Sequence, residues 1–589
     1  MVELKRTANC GQIDIADRGQ KVTLNGWVHK IRNHGGIYFI NLRDRYGNVQ
    51  LVIDDESPIE VKKTGEKLKI EFCIAARGTV RPRPQNMVNK DMKSGAIELA
   101  LTELKVLNSC PSLPFIPDGE EETNENLRLQ YRYLDLRSPG MQQRLKLRNE
   151  CTWALRKYLS ECAFWEIETP TLIRSTPEGA RDYLVPSRVN PGHFYALPQS
   201  PQLYKQILMA GGIDRYYQLA RCYRDEDARG DRQPEFTQVD LEMSFIERDD
   251  VLTIVEGMMV RIFRETLKIE IPTPFRRLSW REAMENYGTD KPDLRFGLEL
   301  IDFSPFVPTS NFSVFKEILS SGGIVKAILA PGAATSYSRK KIAEIEKIAR
   351  AQGAEGLAWM KVNKDGIEGG VSKFFASQTP GITTQLGAEA GDLILIIGAE
   401  QKIAQRSLCA IRNTLAHDLG LIRRDSYDFC WIIDFPLFEK NPDSDTWEPT
   451  HHIFSKPQDR FLEKIEDEPG EIIGDLYDLV LNGNEIASGS IRIHDAELQK
   501  RVLKLLGFTE SQAQKRFGFL LDALSYGAPP HGGIAIGFDR LMMIMTRKNS
   551  IREVIAFPKN TQGISPMDSC PSTVDEEQLA ELHLSVMPH

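Results

Sequence analysis

No cysteine pair with metal-ligand spacing, no long apolar run and no common nucleotide-loop signature occurs in this chain of 589 residues. The nine cysteines are scattered without a CxxC, which argues against a zinc ribbon or a disulfide framework and suits reduced thiols in a cytosol. His451 and His452 are adjacent but have no nearby Cys, a weak case for zinc. No apolar stretch approaches the ~18 residues that span a bilayer. The opening MVELKRTANCGQ lacks the continuous apolar segment of a secretory signal. A cytoplasmic chain without a membrane partner is therefore expected. GxxxxGK[ST] is missing, as is a G-x-G-x-x-G with an acidic residue following its strand, so P-loop and dinucleotide-binding chemistry are not expected.

What is present is an ordinary globular composition, 41% hydrophobic and 26% charged, in a chain too long for one core. The net charge of −8 does not exclude a nucleic-acid partner, because basic residues are localised. Between Arg77 and Lys93, five Lys and Arg residues face the single acid Asp91.

The most informative stretch is Tyr216–Phe245, YYQLARCYRDEDARGDRQPEFTQVDLEMSF, which reads as a strand, a charged loop and a second strand. In the second arm Val239, Leu241, Met243 and Phe245 alternate with Gln238, Asp240, Glu242 and Ser244. Period two sends the apolar set to one face and four polar groups to the other. Such a polar row is costly in a core unless it lines a solvated cleft.

Residues 1–108 contain five strand-like runs broken by Gly, Asn or Asp, the pattern of a small Greek-key barrel that binds single-stranded nucleic acid. There Trp27, Tyr38 and Phe39 are candidate stacking platforms, and Arg32, Arg43 and Arg45 candidate phosphate contacts. Residues 109–133 read as a hinge, opening in a stretch rich in Pro, Asn and acids. A helix follows with Leu147, Cys151, Leu155 and Tyr158/Leu159 on one stripe, ending at Thr169-Pro170. Residues 134–290 and 421–589 read as two parts of one domain, interrupted at 291–420 by a Gly-rich α/β insertion without a catalytic constellation. Near the end GGIAIG turns into an amphipathic helix, with glycines that allow close approach of a ligand.

Three ordered motifs carry a resemblance: the helix closing on ETP170, RCYRDEDARGDRQPEFTQVDLEMSF, and GFDR at 537–540. With PQSPQLYKQ and STPEGARDY they resemble the class II aminoacyl-tRNA synthetases, specifically the bacterial type of aspartyl-tRNA synthetase, over essentially the whole chain. Neither the HIGH nor the KMSKS signature of the class I enzymes occurs. The resemblance implies a multidomain α+β protein. An OB-type anticodon-binding barrel precedes a catalytic domain on an antiparallel sheet flanked by helices, with an inserted GAD-type α/β domain. It implies a homodimer formed through the first motif. Related asparaginyl- or lysyl-tRNA synthetases and a catalytically dead, RNA-binding paralogue are the rival readings.

Residue by residue, the resemblance implies that Arg224 grips the α-phosphate of ATP, Glu226 accepts from the adenine amino group, and Phe236 stacks on the ring. Arg540 would cover the opposite face, with Asp225, Gln233, His451, Gly537, Phe538 and Asp539 also at ATP positions. Asp478 and Glu485 would hold Mg2+ on the phosphates. Arg224, Glu485 and Arg540 would be the catalytic set. Lys205 and Arg492 would take the aspartate side chain, with Glu178, Ser200, Gln202, Gln238, Asp240 and His451 around the rest of it. Glu485 and Arg492 are seven apart, so a bulge near Ser488–Ser490 is predicted to bring both to one face. In the barrel Phe39, Gln50 and Glu98 fall at anticodon positions, with Arg32 nearby. His34, followed by Gly35-Gly36, matches relatives that charge both tRNA(Asp) and tRNA(Asn). Asn86 is neither the lysine of strict relatives nor the glycine of relaxed ones.

Overall fold

The computed structural model of the chain describes residues 4–118, 123–176, 180–423, 425–441 and 443–587. It divides into two compact units. One holds Met1–Leu145 with Ala556–Asn560 and Ile564–Cys570; the other holds Lys146–Ile555, Thr561–Gly563 and the tail from Pro571.

In the first unit all five expected strands form: β1 (Lys21–His34), β2 (Ile37–Asp44), β3 (Gly47–Ile53), β4 (Cys73–Pro82) and β5 (Ile97–Asn108). They close into a barrel in the order β1-β2-β3-β5-β4. Val28, Ile40, Leu42, Leu51, Ile74 and Leu99 fill it, the inward half of each alternating run. Gly26 is required where β1 meets β2, since a Cβ there would lie 2.3 Å from the Arg43 carbonyl oxygen.

Three of the expected nucleic-acid contacts in the barrel are instead engaged within the unit. Arg43 is buried, with its guanidinium 2.8 Å from Glu71 and 3.0 Å from His29 Nδ1, so it does not face a phosphate. Glu71 is fully buried and also receives Arg137 at 2.9 Å. Once enclosed, its carboxylate requires cationic partners, and Arg43 is one of them. Trp27 lies under the Arg137 guanidinium, 4.8 Å from the ring centre, and Tyr38 packs on the barrel core. Arg45 is exposed and Phe39 half-buried, as nucleic-acid contacts would need to be.

The second unit is built on an eight-stranded sheet. Its strands are β6 (Trp165–Glu166), β7 (Arg215–Tyr223), β8 (Glu235–Ser244), β9 (Arg276–Ser279), β10 (Phe429–Ile433), β11 (Leu476–Leu481), β12 (Asn484–Ile491) and β13 (His531–Gly537). Their spatial order is β9-β10-β11-β12-β13-β8-β7-β6. The six central strands run antiparallel, as expected, while the outer pairs β9/β10 and β6/β7 are parallel. One face is apolar: Val239, Leu241 and Met243 of β8 join Leu479, Ile534 and Ile536 in the main core. Helices α1 (Pro139–Glu161), α3 (Arg248–Leu267) and α6 (Phe538–Met545) cover that face, α1 contributing Cys151, Leu155 and Leu159 from its predicted stripe. Helix α2 (Gln202–Ala210) lies against β8 and α4 (Trp280–Tyr287) against β9.

Between β9 and β10 the chain makes a five-stranded sheet of its own, from Leu300–Asp302 to Leu393–Ala399, and ends in helix α5 (Gln401–Asp418). Its strand-helix alternation does not give a parallel sheet. Ile324–Ala330 and Ala358–Asn363, joined through the Arg339–Ala351 helix, flank Leu393–Ala399, which runs antiparallel to both. This split βαβ arrangement explains why the run of elements alone reads as α/β.

Candidate functional site

The polar row of β8 faces a cavity of about 500 Å3. Register makes the row two-dimensional. Gln218, Asp240, Ala535, Ser488 and Asp478 pair across five adjacent strands, and Tyr216, Glu242, Gly533 and Ser490 across four. Small residues on β13 keep the floor open. A Cβ on Gly533 would meet Leu241 O at 2.1 Å and Glu242 Oε2 at 2.2 Å, so only glycine fits there.

The predicted bulge is present but lies a few residues earlier. Leu479 pairs with Ala487 and Val480 with Glu485, leaving Ile486 as the extra residue, while pairing from Ala487 to Ile491 is regular. Ile486 finds its place in the main core, which is why the insertion settles there and not at the glycine. Glu485 is thereby brought into phase with Ser488, Ser490 and Arg492.

At the inner end four charged groups are enclosed together: Asp240 and Glu242 at 0% exposure, Lys205 at 1% and Arg492 at 4%. Lys205 Nζ donates to Asp240 Oδ1 at 2.6 Å and lies 3.1 Å from Glu242 Oε2. Arg492 donates through Nε and Nη2 to Glu242, through Nη2 to Gly533 O, and through Nη1 to Ser490 Oγ at 2.7 Å. Two cations thus balance two carboxylates, as buried charges require. Among the described residues Asp240 Oδ2 is buried without a hydrogen-bond partner, and Arg492 keeps one Nη1 hydrogen uncommitted. Burial opposes ionisation of Glu242, but Arg492 and Lys205 outweigh it and hold its pKa down to about 2. Asp240 is pushed the other way, chiefly by burial. Glu242 belongs to the polar row, and its place beside Asp240 is the mark the sequence carries of this role.

Ser200 and Gln202 line the same end, the latter from the first turn of α2. Gln238 is oriented by Cys222, whose thiol donates to Gln238 Oε1 at 3.3 Å. Burial, then Asp240, pushes that thiol up to about 12, so it stays a donor. Gln238 lines the cavity. Glu178 lies outside the described residues.

The outer end is formed by the loop between β7 and β8 and by the start of α6. The Arg224 guanidinium lies over the Phe236 ring, 5.1 Å from its centre, and its Nε is buried without a partner among the described residues. Glu226 Oε2 receives Arg232 at 3.1 Å, and Gln233 also lines the cavity. Arg540 donates to the Glu485 carbonyl oxygen and, at 3.1 Å, to Asp231 Oδ2. His451 Nε2 donates to Asp478 Oδ2, 3.2 Å away; burial disfavours its imidazolium, but Asp478 raises its pKa. His452 turns elsewhere, accepting from Phe454 N, so the two histidines do not form a joint ligand pair.

Three predicted positions act differently. Asp225 is not part of the lining and lies 3.8 Å from Arg181. Phe538 is buried in the main core under Arg148, leaving only its backbone for a ligand. Asp539 touches the lining, but its carboxylate accepts from Thr237 N at 2.7 Å and pairs with Arg148 at 2.5 Å, tying α6 to β8 and α1.

In the barrel, Arg32 Nη2 donates to Gln50 Oε1 at 3.2 Å, Gln50 to Glu98 Oε2 at 2.9 Å, and Arg81 to Glu98 Oε1 at 2.8 Å. His34 is exposed and meets Phe39 edge-to-face at 6.1 Å; Asn86 is exposed in the loop after β4. Among the described residues no cluster of three or more His, Cys, Asp or Glu could hold a metal, and no helix is long and apolar enough to cross a membrane.

A six-stranded antiparallel core whose polar face carries paired charges, flanked by an arginine on an aromatic ring and an arginine opening a helix, has the architecture of a class II synthetase site. The chain belongs to that family: residues 124–561 match the tRNA synthetases class II (D, K and N), and residues 22–107 the OB-fold nucleic acid binding domain. More particularly, it is similar to the aspartate--tRNA(Asp/Asn) ligase of Treponema denticola, 55% identical over 100% of both chains. It is also similar to the aspartate--tRNA ligase of Macrococcus caseolyticus, 46% identical over 99% of this chain and 98% of the relative. In fold it resembles the crystal structure of asparaginyl-tRNA synthetase from Pyrococcus horikoshii complexed with asparaginyl-adenylate. That likeness has a TM-score of 0.60 at 18% identity and covers 94% of this chain and 98% of that one.

Proposed function

We propose that this chain is an aspartate–tRNA ligase that activates L-aspartate with ATP and charges tRNA(Asp) and also tRNA(Asn). The observation that carries the reading is the enclosed set Lys205, Arg492, Asp240 and Glu242 at the inner end of the cavity. A short carboxylate entering there meets two cations, while the free Asp240 Oδ2 suits the substrate ammonium. A neutral amide would offer these cations no charge and would turn its NH2 donors toward the Lys205 and Arg492 donors, which rejects asparagine.

ATP lies at the outer end. Phe236 supports the adenine, Glu226 reads its amino group, and Arg224 meets the α-phosphate where charge develops during attack by the aspartate carboxylate. Arg540 covers the other side, with Gln233, His451 and the backbone around Gly537 completing the lining. The products are enzyme-bound aspartyl-adenylate and pyrophosphate; the 3′-terminal ribose hydroxyl of tRNA then takes the aspartyl group. Acceleration comes from positioning and fixed charge.

Asp478 and Glu485 fit Mg2+. Among the described residues Asp478 Oδ1 is buried without a partner, and burial together with Asp478 raises the Glu485 pKa, as two adjacent carboxylates do where a cation would sit between them. When bound, Mg2+ would neutralise phosphate charge; water and phosphate would supply its remaining oxygens.

We read residues 1–108 as the anticodon-binding domain, 109–133 as hinge, 134–290 and 421–589 as catalytic domain, and 291–420 as insertion. Exposed His34 and half-buried Phe39 offer unstacked bases an aromatic surface, beside the Arg32–Gln50–Glu98 chain of edge-reading groups. The exposed Trp153 of α1, at 65%, and Trp165 of β6, at 64%, support a homodimer through the first motif. A cytoplasmic location accords with this chemistry. Amino-acid-dependent pyrophosphate exchange tests the activity: aspartate alone among aspartate, asparagine and lysine should support it. Charging purified tRNA(Asp) and tRNA(Asn) side by side tests the range, and absence of aspartyl-tRNA(Asn) would restrict the enzyme to tRNA(Asp).

A further inference from the structure

Lys291 lines the outer end of the cavity, and neither the motifs nor their spacing pointed to it. It leaves the segment between α4 and the Leu300–Asp302 strand and is exposed. Its backbone N donates to Thr289 Oγ1 at 3.3 Å, while its ammonium has no partner among the described residues. Glu485 and Arg540 line the same cavity. Arg540, by comparison, already donates to Asp231 and the Glu485 carbonyl oxygen.

The segment carrying Lys291 is held from two sides. Arg412, from α5 of the inserted region and 0% exposed, donates to the carbonyl oxygens of Asp293, Phe296, Gly297 and Leu298 at 2.8–3.1 Å. Its guanidinium also lies on the Tyr287 and Phe296 rings, 4.9 and 4.2 Å from their centres. On the other side, Gly483, at φ +77, sits so close that a Cβ would lie 3.1 Å from Asp293 Cβ. Gly483 belongs to the turn between β11 and β12, two residues before Glu485. One buried arginine and one turn thus set Lys291 in relation to the carboxylates of the phosphate end.

We propose that Lys291 is a further ligand of the triphosphate, taking its β,γ end and neutralising the pyrophosphate as it departs. The inference rests on the reading of this cavity as an ATP site. In the step it serves, an aspartate carboxylate oxygen bonds to the α-phosphorus. The bond to the bridging oxygen breaks, and its electron pair leaves with pyrophosphate. Lys291 keeps its proton throughout and supplies charge alone. The inserted region then has a task at the site, to present this cation through Arg412.

The test compares the full-length wild type with Lys291→Ala and Lys291→Arg. Calorimetry measures binding of ATP and of inorganic pyrophosphate, and steady-state exchange gives KM for ATP and for aspartate. Lys291→Ala should weaken pyrophosphate binding and raise KM for ATP about 10-fold, with KM for aspartate unchanged and most of the loss restored in Lys291→Arg. The residue is exposed, so folding should survive, and an unchanged melting temperature checks this. Unaltered pyrophosphate and ATP binding in Lys291→Ala, beside an active wild type, overturns the inference. A wild type that binds no ATP overturns the reading of the cavity instead.

Discussion

Replacing Glu242 with Gln tests the inner pocket most directly, because it changes one charge and almost no volume. In the native chain Glu242 takes two bonds from Arg492 and lies 3.1 Å from Lys205 Nζ, all three groups at 4% exposure or less. Solvent cannot screen the loss. The variant leaves two buried cations with Asp240 alone, and removing one partner of a buried pair costs about 3–5 kcal/mol. The Arg492 fork also loses its planar anchor, so the guanidinium no longer holds one orientation toward the substrate carboxylate. The melting temperature should fall by several degrees, and KM for aspartate should rise while KM for ATP stays. The pH dependence has a fixed sign. Glu242 is held at about 2, below its ordinary 4.5, so its stabilisation is complete above pH 4.5 and lost as pH falls toward about 2. The gap in melting temperature between wild type and Glu242→Gln should therefore be widest near pH 7 and narrow below pH 4.5. Wild-type stability of the variant at pH 7, or an equal gap at pH 3 and pH 7, would refute this account.

Arg224→Ala removes the guanidinium stacked on Phe236 and should lower the rate of aspartate-dependent pyrophosphate exchange by about 10²–10³-fold, leaving tRNA binding by filter retention intact. Normal exchange in that variant would disprove the role. In the barrel, Glu71→Gln strips the buried carboxylate shared by Arg43 and Arg137 and should destabilise that unit by about 3–5 kcal/mol. Raised KM for tRNA with unchanged pyrophosphate exchange is the expected signature; a loss of both activities together would show that the barrel is not separable from the site.

The sequence determined the elements and the faces they present. Strand runs of 7–14 residues with alternating apolar positions became the barrel, and the period-two polar row of β8 became the floor of the cavity. Local rules suffice there, because side-chain alternation and helical stripes are properties of neighbouring residues. Only the tertiary structure decided what depends on partners far apart in the chain. Arg43 looked available for a phosphate until folding enclosed Glu71 beside it. Asp539, 302 residues from Thr237, became a brace between elements. The bulge was foreseen from the spacing of Glu485 and Arg492, but its position was set by where Ile486 could find a core. Lys291 carries no local mark at all. It faces the cavity because Arg412, 121 positions later, gathers the carbonyls of the segment that holds it. Patterns within a few residues fix secondary structure and sidedness, whereas burial of charge and the meeting of distant loops belong to the packed whole.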